Sequence, residues 1–574
     1  MRSQDLRQAG PEIDPLKLSM DYSVEDLYKP QVLVEDTWGD ALPGSYHLGG
    51  LSEMVARGVY ASGGKPSLFH VTDMCDGIAQ GTEGMDYSLL SREMVCNMIE
   101  VHWKTQPLDA IVLLSSCDKG LPGQLMAAAR QHDAPAIHVP GGTMMEGPRM
   151  FTLERVGTIF AELKRGEIAP DDYIFLQRSA CPTVGCCSFM GTANTMQNLS
   201  EALGLALPTS ASVPAFKNEI RRIAEAAGRR IVKMLESGTK TRDILTEEAF
   251  ENAIMVHAAI GGSTNALLHI PAIAREVGIT IRPKLWDEIN HEIPFIANVR
   301  PSGTYPAIFY WYAGGAQGII REIKEHLHLD ALTVTGLTLG ENLKELERQH
   351  YFEKVRQYLD SYQLSAENVI APASHPIGSG ALAILNGSLA PGHAVIKYAA
   401  VPKEMFHHEG PAVIFESEKD AFNAIVGKSI DPGSVIVIRY VGPRGCGMPE
   451  MFYPTEALAS SKELHTTTAL VTDGRFSGAS RGPCVGYVSP EAASGGPIAA
   501  LENGDLVEID IPGRELNVVG FAGKREEKET VGNILAERLS QWQPPSQKYT
   551  GVLGLYTTLA TSAMDGAYID YSKK

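Results

Sequence analysis

The sequence predicts a doubly wound α/β domain followed by a β-rich, barrel-like domain, and three observations carry that prediction. At 574 residues the chain exceeds what one hydrophobic core organises, so two or more domains are expected. From about residue 50 to 345, short apolar runs alternate with helical patterns, the texture of strand–loop–helix units on a parallel sheet. After Pro372 the texture changes to short β-rich runs separated by Gly and Pro. The boundary is therefore expected near 372, with residues 1–372 in the first domain and 373–574 in the second.

Taken in order, residues 1–45 are polar and turn-rich and read as an arm or subunit-contact segment. The runs 108–114 (LDAIVLL) and 136–139 read as buried parallel strands, with loops that begin Ser115-Ser116-Cys117 and Pro140-Gly141-Gly142. Segments 219–235 and 250–257 read as helices, and 346–370 as charged and helical. In the second domain, strands are expected at 394–398, 412–415, 434–440, 469–472 and 506–511.

Composition narrows the function. Hydrophobic residues make up 44% and charged residues 21%, the balance of a folded protein. A net charge of −18 argues against nucleic acid or an anionic membrane surface as partner. The N-terminal segment lacks the apolar core of a signal peptide and no run is long enough to span a membrane, so a cytoplasmic location is expected. Eight cysteines in such a compartment point to thiols or metal ligands rather than disulfides.

Three of these cysteines, Cys75, Cys117 and Cys187, sit in Gly-rich or turn contexts, 42 and 70 positions apart. There is no zinc-type CxxC pair and no ferredoxin-type run. Three thiolates from three loops could hold an iron–sulfur cluster and leave one iron open as a Lewis acid. The plainer reading is that they are ordinary buried cysteines, which are common. Cys75 and Cys117 are each followed by Asp, and Glu83 lies eight residues beyond Cys75. Oxygen ligands beside thiolates suit a hard cation such as Mg²⁺ next to a soft-ligand cluster, although a single loop carboxylate is usually a cap.

Six segments together resemble the dihydroxy-acid and sugar-acid dehydratase family. They are Cys75-Asp-Gly with Gly-Thr-Glu83-Gly-Met, Ser-Cys117-Asp118-Lys119-Gly-Leu-Pro-Gly, Gly191-Thr-Ala-Asn-Thr-Met, His257-Ala-Ala-Ile-Gly-Gly-Ser-Thr-Asn265, Gly-Met-Pro-Glu450-Met and Thr472-Asp-Gly-Arg-Phe-Ser477-Gly. The resemblance implies a three-layer α/β domain and a β-barrel domain, with an active site between them in a homodimer or homotetramer. It implies a hydro-lyase with cluster thiolates at Cys117 and Cys187. It also implies Mg²⁺ ligands at Glu83, Asp118, Glu450 and a carbamylated Lys119, and a catalytic base at Ser477. A serine hydroxyl is a weak base unless cations hold it as the alkoxide.

One departure bears on the cluster. Family members with [2Fe–2S] clusters carry a cysteine just ahead of a helix like His47-Leu-Gly-Gly-Leu-Ser, and this chain has Ser45 there. A cysteine before Asp-Gly is instead similar to phosphogluconate dehydratases and some D-xylonate dehydratases. The third ligand is therefore expected at Cys75, which favours [4Fe–4S] over [2Fe–2S]. Cys187 rather than the adjoining Cys186 fits the family's Gly-x-Cys pattern.

For the substrate, Cys117-Asp-Lys-Gly-Leu-Pro, Ala-Ala-Arg130-Gln-His and Leu-Leu-His269-Ile-Pro resemble the D-xylonate group. Arg475-Phe-Ser-Gly-Ala-Ser-Arg-Gly and Val488-Ser-Pro-Glu-Ala-Ala resemble the branched-chain enzymes as well. The expected substrate is an aldonate such as D-xylonate or D-gluconate, dehydrated to the 2-keto-3-deoxy acid. A branched-chain 2,3-dihydroxy acid is the alternative. A polyhydroxy tail needs polar contacts, with His257, Ser263, Thr264, Asn265 and His408 as candidates, although Asn265 could equally cap a helix. A non-catalytic iron-sensing protein would have lost a chemical residue, yet Glu83, Asp118, Lys119, Glu450 and Ser477 are all present.

Overall fold

A computed structural model describes residues 1–546 and 548–572. The first sheet comprises β1 (Gln31–Asp36), β2 (Lys65–His70), β3 (Ala110–Ser115) and β4 (Ala136–Pro140). Its order is β2-β1-β3-β4 and every pair is parallel. All residues of β1, β3 and β4 are buried, as expected of strands covered on both faces. Helices Leu48–Ala61 and Asn218–Ser237 pack together against one face, and Gly120–Arg130, with Ser88–Thr105 against it, covers the other. The three-layer expectation thus describes this unit.

The arm expected over residues 1–45 is not what forms. Its Val32-Leu33-Val34 core is an interior strand of the sheet, paired on both sides. Three apolar residues between charged neighbours gave too short a run to read as a buried strand.

The chain passes from β1 to β2 on one side and then to β3 and β4 on the other, so the strand order reverses between β1 and β3. Loops leaving the carboxyl ends of strands at such a reversal form a crevice where doubly wound folds bind ligands. The loop after β3 begins Ser116-Cys117-Asp118-Lys119, and Cys75-Asp76 lies beyond β2.

The second sheet has nine strands: β5 (Ala383–Leu385), β6 (Ala394–Ile396), β7 (His407–Phe415), β8 (Val435–Ile438), β9 (Ala469–Thr472), β10 (Cys484–Gly486), β11 (Leu506–Asp510), β12 (Glu515–Phe521) and β13 (Lys524–Arg525). The order is β13-β12-β11-β7-β8-β9-β10-β6-β5, with β7 to β10 mutually parallel. The sheet curls until Asn386, just past β5, bridges Glu515 at the start of β12. That bridge makes the sheet barrel-like and leaves fewer backbone groups unpaired at its edges.

Residues from the end of the chain pack with the first unit. Leu553, Tyr556, Ala560, Ala563, Met564, Ala567 and Ile569 belong to the hydrophobic core that includes β1, β3 and β4. Arg92, fully buried, donates to the carbonyls of Gly566 and Ala567 at 3.0 Å each, and Glu93 accepts from the Ile569 amide. Buried charges require such partners. No helix among the described residues is long and apolar enough to cross a membrane.

Candidate active site

The two sheets face each other through the carboxyl ends of their parallel strands. Glu450 comes from the segment after β8 and Ser477 from the turn after β9. Glu450 and Arg475 form a parallel bridge, and the Met451 amide donates to the Arg475 carbonyl at 2.8 Å. Between the sheets lies a cavity of about 240 Å³ lined by Cys75, Cys117, Cys187, Asp118, Glu450 and Ser477. Residues up to 402 positions apart in sequence therefore meet at one place.

On the thiol side, Cys75 and Cys117 are hydrogen-bonded to each other. That bond holds the Cys75 thiol below its ordinary pKa and pushes Cys117 well above. Burial pushes Cys187 up as well. Thiols raised in this way stay protonated until a metal displaces the proton. Gly44 is needed beside them, because a Cβ there would stand 2.2 Å from the Cys117 sulfur. Ser45 is fully buried and its hydroxyl lies 3.4 Å from that of Thr37, so it does not line the cavity. Cys186 does border the cavity, with its sulfur accepting from Gln197 Nε2 at 2.9 Å.

On the oxygen side, Asp76, Asp118 and Glu450 each bring a carboxylate oxygen within 4.8 Å of the others. Burial pushes Asp118 up to about 7. Asp76 feels the same burial, but Lys119 and Arg475 outweigh it and hold its carboxyl below the usual value. Lys119 Nζ donates to Asp76 at 2.7 Å, and Arg475, fully buried, pairs with Glu450 and also donates to Ser88 at 2.8 Å. Asn265 Nδ2 donates to Glu450 at 2.8 Å. Two buried carboxylates and the half-buried Asp118 against two cations suit a divalent ion, and the neighbouring thiols suit iron. The donor set therefore fits both groups expected from the sequence.

Not every expected residue arrives. Glu83 is exposed and borders a separate cleft with Asp86 and Glu418; Asp76 stands where it was expected. Asp76, the Asp that follows Cys75, fits the expectation of oxygen ligands beside thiolates, whereas nothing in the sequence marks Arg475 as a partner of these carboxylates. The polar substrate contacts do not line the main cavity either. His257 donates through Nε2 to the Ser263 carbonyl, Ser263 pairs with Thr192, and Asn265 with Glu450. Thr264 is buried, and His408 on β7 approaches the Ser434 carbonyl. The rest of the lining is mixed: Met144, Leu153, Val156, Phe160, Phe189 and Phe452 form its apolar part, and Gln80, Glu154, Tyr173, Gln177, Thr192 and Asn194 are polar residues among them.

Ser477 is half-buried, its Oγ accepting from the Ala479 amide at 3.2 Å. Gly478 lets the turn approach the Gly191 backbone, since a Cβ there would stand 2.7 Å from Gly191 Cα. Ser480, the local alternative, accepts instead from Thr455 at 3.0 Å.

Comparison with known proteins agrees with this architecture. Residues 29–342 match the family model described as dihydroxy-acid/6-phosphogluconate dehydratase N-terminal, and residues 368–567 match its C-terminal counterpart. The chain belongs to the dihydroxy-acid/6-phosphogluconate dehydratase family. It is an enzyme of the hydro-lyase class acting on a small molecule, in a family that generally uses an iron–sulfur cluster and Mg²⁺. The dihydroxy-acid dehydratase of Methanosarcina barkeri is 41% identical over 99% of this chain and 100% of its own length. That of Caldanaerobacter subterraneus is 42% identical over 99% of both, and that of Methanothermobacter thermautotrophicus 43% identical over 95% of both.

These relatives overturn the expected sugar-acid substrate and favour the branched-chain alternative. The physical reason is visible in the cavity. None of the polar residues on which the aldonate reading leaned lines the main cavity. His257 bonds the Ser263 carbonyl, Ser263 bonds Thr192 and Asn265 bonds Glu450, while Leu153, Val156, Phe160 and Phe189 contribute apolar surface to the lining.

Proposed function

We propose that this enzyme dehydrates a 2,3-dihydroxy acid with a short branched aliphatic tail, of the 2,3-dihydroxyisovalerate kind, to the corresponding 2-keto acid. The observation that carries the reading is the apolar wall around Val156, Phe160, Leu153 and Phe189, opposite the acids and thiols. An aliphatic tail gains about 25 cal/mol per Å² buried there. Each extra hydroxyl of an aldonate would give up its hydrogen bonds to water, at roughly 1–3 kcal/mol.

In this reading Asp76, Asp118 and Glu450 hold Mg²⁺, with carbamylated Lys119 as a further anionic ligand, and Cys75, Cys117 and Cys187 hold the cluster. A [4Fe–4S] centre is favoured because the third thiolate is Cys75 rather than a residue at position 45. Together these groups supply Lewis acidity for the carboxylate and the two hydroxyls. Arg475 and Asn265 fix the Glu450 carboxylate, so Asn265 serves the ligand rather than the substrate. Ser477 Oγ takes the C2 proton. The C2–H electron pair becomes the C2–C3 double bond as the C3–O bond breaks, hydroxide leaves as water with that proton, and the enol tautomerises to the 2-keto acid. Closure between the two sheets keeps bulk water from the reacting carbons. Assembly as a homodimer or homotetramer belongs to the same proposal.

The test is 2-keto acid formation by anaerobically isolated holoenzyme from 2,3-dihydroxyisovalerate, D-xylonate and D-gluconate. A kcat/KM at least about 10²-fold higher for the branched acid is expected, the discrimination available to a pocket with the wrong polarity for its rival. The reverse preference would overturn the reading. Iron analysis and electron paramagnetic resonance distinguish four irons from two.

A further inference from the structure

Behind Ser477 lies a second, smaller cavity of about 20 Å³, room for roughly one water molecule. The Ser477-Gly478 turn borders both cavities. The other walls are Thr264, Phe476, Ser480, Cys484 and Lys397, which directly follows β6. Lys397 is half-buried as a residue while its Nζ is fully buried and has no hydrogen-bond partner among the described residues. No carboxylate lines this cavity. An amine buried without a counter-charge is costly and is found where a function keeps it.

The surroundings give that amine one chemical use. Its titratable neighbours are Cys484, whose thiol burial pushes up, and His257, whose imidazole burial pushes down to about 4. Both are uncharged at neutral pH, so neither compensates an ammonium. Thr264 and Ser480 lie on the same wall, and Ser480 already accepts from Thr455. Ser477 is the group that reaches from Lys397 into the reaction cavity. Burial also brings Lys397 down to about 7, where an amine exchanges protons readily.

We infer that Lys397 is the positioning residue for Ser477, sharing one proton with its hydroxyl through a single water molecule for which the small cavity has room. The inference rests on the proposed role of Ser477. The pair is either serine hydroxyl with neutral amine or alkoxide with ammonium. In the second form Oγ takes the C2 proton, and the C–H pair enters the C2–C3 double bond. The C3 hydroxide then accepts that proton from Oγ and leaves as water. Lys397 retains its own proton throughout, so the pair ends as it began. This assigns to a residue of the barrel the task of making a weak hydroxyl basic.

The test compares Lys397→Met and Lys397→Arg with wild-type holoenzyme on 2,3-dihydroxyisovalerate across pH 6–9.5. Lys397→Met should lose about 10²-fold or more in kcat, with KM within about threefold and iron and Mg²⁺ content unchanged. Lys397→Arg, which cannot become neutral, should lose the acidic limb of the wild-type kcat profile. A purely structural lysine would lower Tm when removed. An uncompensated one should leave Tm equal or raise it, more at pH 6.5 than at 9.5, because the depressed pKa destabilises the fold most where the unfolded lysine and the buried amine are both protonated. Near-wild-type kcat and pH profile in Lys397→Met would overturn the inference, as would a large fall in Tm. If wild-type holoenzyme dehydrates no dihydroxy acid, the proposed reaction fails instead, and the Tm comparison still decides whether Lys397 is held without a counter-charge.

Discussion

The two walls of the active cavity are built from the same device and used differently. Both present residues on segments leaving the carboxyl ends of parallel strands, β2 and β3 on one side and β8 and β9 on the other. On the first wall nearly every buried charge is answered: Asp76 by Lys119, Arg475 and Ser88, and Glu450, reaching across, by Arg475 and Asn265. On the second wall Ser477 borders the same cavity as Asp118 and Glu450, but the small cavity behind it, where Lys397 stands, is lined by no carboxylate among the described residues. A wall that holds metal ions must fix several ligands at once, whereas a wall that moves a proton needs one group free to change its state.

The largest effect should come from breaking the first wall. Asp118→Asn removes a central carboxylate and should lower turnover by more than about 10³-fold, since activity depends on the cation. Metal analysis should show Mg²⁺ lost and iron retained; retention of both metals with normal turnover would dissociate Asp118 from the site. Ser477→Ala attacks the second wall and should cost roughly 10²–10⁴-fold in kcat. Iron and Mg²⁺ should stay in place, and exchange of the substrate's C2 hydrogen with deuterated solvent should stop. If such exchange continues at the wild-type rate, the base lies elsewhere.

The thiol arrangement sharpens the comparison further. Cys75→Ser should bleach the protein and release iron, whereas Ser45→Ala should keep the full complement, read by absorbance and iron analysis. Equal iron in both variants would remove Cys75 from the ligand set. On the apolar wall, Phe160→Ser should lower kcat/KM for the branched acid by roughly 10–100-fold, within the range expected for lost apolar contacts, mainly through KM. The smallest effect is expected at Glu83→Gln, within about twofold of wild type, because Glu83 is exposed in the separate cleft.

Much of this site could be read from the chain alone. Cys75, Cys117 and Cys187 stand out by their Gly-rich or turn contexts, whereas Asp118, Glu450 and Ser477 are marked by the resemblance to the family, and all six border one cavity. Position within a loop was harder to read. Asp76 begins a short helix, where an Asp ordinarily reads as an end group, and Glu83 starts a 3₁₀ turn that faces outward. The six residues between Asp76 and Glu83 decide which carboxylate points inward, and periodicity does not encode that. Arg475 was hidden because burial of a cation depends on partners from Asp76 and Glu450, which are distant in sequence. The substrate reading failed for a related reason. Helices Glu247–Ile260 and Ala266–Glu276 are buried almost all round, and their polar side chains bond elsewhere, His257 to the Ser263 carbonyl, Asn252 to His328 and His269 to Arg92, rather than facing the cavity. Lys397 lay in a plain strand-like run with no motif to mark it.

The return of residues 553–569 to the first core has a consequence for the order of events in the cell. Arg92 and Glu93 are enclosed within that core and pair with each other, Arg92 also with Leu268 and His269, but the Gly566 and Ala567 carbonyls and the Ile569 amide lie 474 to 476 positions downstream. A nascent chain can form β1 to β4 early, but it cannot complete the bonds of this buried pair until the barrel and the segment beyond it have been synthesised. The first unit therefore waits, incompletely closed, beside the thiols and carboxylates it carries. Loading of metal into this protein is then timed by the completion of folding rather than by the appearance of the ligands, and early capture of iron by a half-made site is disfavoured by topology itself.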